Sequence, residues 1–80
     1  MENKIAIVGI IISDSSAVAT VNGVLHENMD YIVGRLGLPY KQRGVNVISI
    51  VIDAPQQIIN ALSGKLGMIS GVTSKVLITK

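Results

Sequence analysis

Residues 4–12, Lys-Ile-Ala-Ile-Val-Gly-Ile-Ile-Ile, are apolar at both odd and even positions and rich in β-branched side chains. That pattern predicts a central strand buried on both faces. Ser13-Asp14-Ser15-Ser16 follows with several oxygens able to cap a helix. Val18, Val21, Leu25 and Met29 then recur at spacings of three and four, predicting an amphipathic helix to about Asn28. Residues 30–38 alternate as a second strand, with Ile32, Leu36 and Leu38 on one face and Tyr31, Val33 and Arg35 on the other. Residues 39–44 are polar and hold a turn, and residues 45–52 form a third strand. On that strand Ile48, Ile50 and Ile52 share one face, and Val45, Val47 and Val51 the other. Asp53-Ala54-Pro55 reads as the opening of a second helix, an Asp cap followed by Pro in the first turn. Ile58, Ile59, Leu62 and Leu66 form its apolar stripe, and Gly64 and Gly67 weaken and then stop it. After a turn at Ser70-Gly71, residues 72–79 make a fourth strand with Val72, Val76 and Ile78 on one side.

The order βαββαβ predicts an α+β fold, a ferredoxin-like sandwich with a four-stranded antiparallel sheet and two helices on one face. Strands one and three are expected at the centre. Strands two and four, which carry Arg35, Lys75 and Lys80, are expected at the edges. The face without helices is then a large apolar surface, of a kind monomers rarely leave bare. A second subunit covers it on one reading; short loops and side-chain stems hide it on the other.

Composition narrows the chemistry. The 80 residues allow one domain, residues 1–80, and a chain this short buries only about 60% of its unfolded surface. With 49% hydrophobic and 15% charged residues, disorder is excluded. Cysteine is absent and histidine occurs once, which removes disulfides, thiolate chemistry and any multi-histidine metal site within one chain. No metal and no cofactor are expected. Phenylalanine and tryptophan are absent and tyrosine occurs twice, so a stacking surface for nucleic acid is not expected, and a net charge of +2 implies neither nucleic acid nor membrane. The apolar run Ile5–Ile12 before Ala17-Val18-Ala19 imitates a signal peptide, but Glu2 dilutes its start and the run is short. No apolar stretch reaches the roughly 20 residues of a membrane span. The expected location is cytoplasmic.

Two places hold candidate chemistry. His26, in the last turn of the first helix, is either a ligand of a metal shared between subunits or a dipole partner at the surface. Arg35, Tyr40, Lys41 and Arg43 surround the following hairpin, where three cations and a phenol suit an anion or an acidic partner, or merely solvate a turn. Gly64-Lys65-Leu66 lacks the phosphate-loop pattern, and Gly34-Arg35-Leu36-Gly37 lacks dinucleotide spacing. Asp14, Asp30 and Asp53 fall at element boundaries where caps and turns use them. No nucleophile–base pair is evident.

His26-Glu27, Ile32-Val33-Gly34-Arg35-Leu36-Gly37-Leu38-Pro39-Tyr40, Arg43-Gly44-Val45, Ile48-Ser49, Ala61-Leu62-Ser63-Gly64-Lys65-Leu66-Gly67 and Gly71-Val72 together resemble the small proteins classed as iron-only hydrogenase system regulators. The likeness runs over essentially the whole chain and is most distinctive in the hairpin. That family is similar to ACT domains and to the C-terminal domain of the nickel-responsive repressor. The resemblance implies an oligomeric, ACT-like regulatory domain associated with an iron-only hydrogenase system. The chain departs from the wider pattern in three respects. It lacks the several histidines and the cysteine of the nickel regulators; only Met1, Glu2 and Asn3 precede the first strand, where those proteins carry a DNA-binding segment; and no glycine stands in the loop after the first strand. Nickel sensing, direct nucleic-acid binding and amino-acid binding are therefore not expected. The reading is a non-enzymatic regulator, a homodimer or tetramer binding a small effector or a partner regulator protein. Its rivals are a structural interaction module without ligand and a small enzyme using Arg35 or His26.

Overall fold

Strand β1 (Asn3–Ile12) runs antiparallel between β3 (Val45–Pro55) and β4 (Val72–Ile78), and β2 (Ile32–Tyr40) pairs with the far side of β3, giving the sheet order β2-β3-β1-β4. Helices α1 (Val18–Glu27) and α2 (Gln56–Gly67) complete the ferredoxin-like order. The structure is a computed structural model and describes residues 2–79; Lys80, expected at the end of the last strand, lies outside the described residues. The two doubly apolar strands are the central pair and the cation-bearing strands are the edges.

Burial alternates strictly along β1: Ala6, Val8, Ile10 and Ile12 are buried while Ile5, Ile7 and Ile11 stand exposed on the opposite face. On β3 the same inner face carries Ile48, Ile50, Ile52 and Ala54. Val21 and Leu25 of α1 and Ile59, Leu62 and Leu66 of α2 close over them. Each such side chain stabilises the fold by about 1.5–3 kcal/mol through burial. Among the described residues no polar or charged side chain is buried, so any chemistry sits in a cleft or at an interface.

Two boundaries differ from the sequence reading. Asp53-Ala54-Pro55 does not open α2; it extends β3, because Asn3, Lys4 and Ile5 continue the ladder opposite Pro55, Ala54 and Asp53. Pro55 is the N-cap, and no side chain caps the helix. The second strand begins at Ile32 rather than at residue 30, after a 3-10 turn over Met29–Tyr31, and it runs on through Pro39 and Tyr40 to a second turn at Lys41–Arg43. Pro39 is tolerated because β2 is an edge. Gly44, at φ +67, closes that turn in the left-handed conformation glycine favours.

The third difference decides where functional groups point. Ile32 pairs with Ile52, and the next paired residue, Gly34, faces Val51, so Val33 forms a β-bulge. The extra residue inverts the side-chain alternation beyond it. Ile32 therefore faces the helices, whereas Leu36 and Leu38, opposite Ser49 and Val47, face away. Arg35, opposite the buried Ile50, lies on the helix side.

Candidate functional site

Arg35 of the edge strand β2 reaches helix α1, and its guanidinium donates to Asn22 Oδ1 on α1 at 2.6 Å. Asn22 and Arg35 lie at the junction of two open clefts. One, of about 250 Å³, is lined by Ile12, Val18, Gly37, Pro39, Asn46 and Ile48 among others. The second, of about 370 Å³, is lined by Asn22, Leu25, His26, Met29, Ile32 and Arg35. His26 follows Asn22 by one helical turn and so shares its face. Two of the sequence candidates, His26 and Arg35, thus come together in one cleft.

The other candidates stand apart from it. Tyr40 pairs with Val45 and shares the face of Val47 away from the helices, whereas Lys41 and Arg43 belong to the 3-10 turn at the end of β2. None of these three lines either cleft. The hairpin is therefore not one cation cluster: Arg35 faces the helices, and Tyr40 faces the open side. Asn22 was missed by sequence reasoning. Its signal is positional, since it lies four residues after Val18 and four before His26, on the polar border of the α1 stripe.

The open face of the sheet is the second candidate surface. Ile5, Ile7 and Ile11 of β1, Leu36, Leu38 and Tyr40 of β2 and Leu77 of β4 are all exposed there, Leu77 to 70% and Leu36 to 68%. Gly9, paired with Ser49 and Lys75, leaves a shallow apolar hollow of about 250 Å³ at its centre. Lys75 and Asp53 place one charge of each sign on this face.

The loop from β1 into α1 is held by the turn before β4. Ser13 donates to the Gly71 carbonyl from its backbone N–H at 2.8 Å and from its hydroxyl at 3.1 Å. Asp14 accepts from the Ser16 hydroxyl at 2.7 Å and the Ser16 N–H at 3.0 Å. The hydroxyl, then the N–H, hold its carboxyl below the ordinary aspartate range. Glu27 is not a partner of its neighbour His26 in any hydrogen bond; it accepts from Lys65 Nζ of α2 at 3.3 Å, an exposed ion pair. No helix of the described residues is long and apolar enough to cross a membrane.

The family described as "TM1266-like: Iron-only hydrogenase system regulator, putative" matches residues 4–76. Among solved structures, the uncharacterized protein TM1266 from Thermotoga maritima superposes with a TM-score of 0.94 at 35% identity, covering 99% of this chain and 100% of that one. A formyltetrahydrofolate deformylase from Pseudomonas putida matches with a TM-score of 0.65 at 14% identity, over 91% of this chain but 28% of the enzyme. The second likeness is one of fold alone. No curated protein matches the chain.

Proposed function

Because the chain belongs to the TM1266-like family, we propose that it is a regulatory domain and not an enzyme, working as a homodimer or tetramer that receives a small effector or a partner protein for an iron-only hydrogenase system. The observation that carries this reading is the bare sheet face. Four strands about 4.8 Å apart over about seven residues of 3.3 Å each project roughly 400 Å². Two copies face to face project roughly twice that before side-chain relief adds accessible area, which approaches the 1,200–2,000 Å² that stable interfaces bury at about the standard size. Lys75 and Asp53 leave the face without net charge, so a second copy meets no repulsion there. The cleft between α1 and β2 opens on the helix side, and a copy seated on the open face leaves it accessible. A guanidinium in that cleft with no carboxylate partner among the described residues favours an effector-binding domain over a structural module without ligand.

Light scattering tests the reading. At micromolar concentration the mass is expected at twice or four times 8.4 kDa, and Ile7→Lys, a change at a residue 44% exposed in one copy, is expected to yield folded monomer. Wild-type protein at 8.4 kDa would overturn it.

A further inference from the structure

Arg35 is held but not neutralised. Its contact with Asn22 Oδ1 is to a neutral amide, and among the described residues no carboxylate pairs with it. One neutral acceptor occupies little of a guanidinium's five N–H donors. We propose that the cleft between α1 and β2 binds a small monocarboxylate with a short apolar tail. Its carboxylate accepts from Arg35, with the Asn22 amide and a His26 ring N–H as further donors, and its tail lies against Leu25, Met29 and Ile32.

Each element of that assignment comes from the lining. The planar fork of arginine matches a carboxylate in two parallel hydrogen bonds. No Asp or Glu lines the cleft to receive an ammonium group, so a zwitterion finds half its charge unmet there. Lys41 and Arg43, the cations a phosphate would need beside Arg35, do not line it. The apolar wall excludes a ligand polar throughout, because its polar groups would be desolvated without partners. At about 370 Å³ the cleft falls at the lower end of ligand sites, near 300–1,000 Å³, which sets the size at a short chain. This rests on the effector-binding reading above and names the effector's class.

The test uses hexanoate as probe and the full chain. Two-dimensional NMR of the Arg35 Nε–Hε group and the Asn22 side-chain amide is expected to show saturable shifts with hexanoate and none with hexylamine. Asn22→Asp sets a carboxylate against the same guanidinium and is expected to weaken hexanoate at least tenfold; Arg35→Ala is expected to weaken it about ten- to a hundredfold. If Asn22→Asp does not fold, Arg35→Lys keeps the charge, loses the fork and is expected to weaken binding at least fivefold. Absence of hexanoate shifts, equal binding by the variants, or tighter binding of inorganic phosphate at Arg35 would each overturn the assignment. Light scattering on the same samples separates the two proposals. An oligomer that ignores hexanoate sinks this one alone, and a monomer that binds it sinks the oligomer alone.

Discussion

Replacing Gly71 by alanine probes the joint between the two halves of the chain. Gly71 stands at φ +80, and a Cβ built on it would lie 2.5 Å from Asp14 Cβ and 3.4 Å from the Asp14 nitrogen. A positive φ costs an L-residue about 1–2 kcal/mol. Carbon atoms without a bond between them sit at about 3.5–4.0 Å, so the β1–α1 loop must retreat by about 1 Å, and overpacking of that kind costs about 1–3 kcal/mol. The loop cannot retreat freely, because Ser13 is tied to the Gly71 carbonyl by two hydrogen bonds. The sum is about 2–5 kcal/mol, from a domain whose total stability is about 4–12 kcal/mol for 80 residues. Gly44→Ala is the internal control. Gly44 also has a positive φ, of +67, but a Cβ there meets nothing within 4 Å, so it should lose only the first part. The assay is urea denaturation of both variants and wild type at one protein concentration, so that the proposed association would weigh equally on all three. Adding Asp14→Gly to Gly71→Ala removes the clashing carbon and should restore part of the loss. If Gly71→Ala lies within about 0.5 kcal/mol of Gly44→Ala, a spread within the ±0.5 kcal/mol of ordinary surface changes, the joint is not the constraint described.

Ile48→Lys places an uncompensated charge on the helix side, where Ile48 is 5% exposed opposite Ile10 and Gly37; a loss of about 3–5 kcal/mol is expected by thermal melting, and a loss under 1 kcal/mol would contradict the core assignment. Ser16→Ala removes the hydroxyl that does most to lower the Asp14 carboxyl, so its carbon-detected NMR titration should move up toward the ordinary aspartate value. With a folded pKa below the unfolded one, the stabilisation is present at neutral pH and lost as pH falls through about 4 and below; a Ser16→Ala titration identical to wild type would refute the hydrogen-bond origin.

The sheet order was legible because Ile5–Ile12 and Val45–Ile52 are apolar on both faces and the other two strands are not. The bare face followed from the same fact. The orientation of Arg35 was not legible. It depends on the bulge at Val33, which shifts the register of β2 against β3. Asp53-Ala54-Pro55 has the composition of a helix start, but the pairing of Asn3–Ile5 claimed it for β3; a partner fifty residues away outweighed local propensity. The meeting of His26 with Arg35 needed α1 beside β2, a tertiary fact, whereas the separation of Tyr40 from Arg35 follows from alternation alone, since the strand runs unbroken between them over five residues.

The central claim is that two copies cover the open sheet face while the cleft on the helix side keeps an effector. Native mass spectrometry of the protein purified from its own host reads both at once. The account expects an even multiple of the 8.4 kDa chain, dissociated by Ile7→Lys, with a retained small acid that disappears in Arg35→Ala while the subunit count stays unchanged. A bare 8.4 kDa species from the wild type, across the concentrations at which the protein is found, would contradict it.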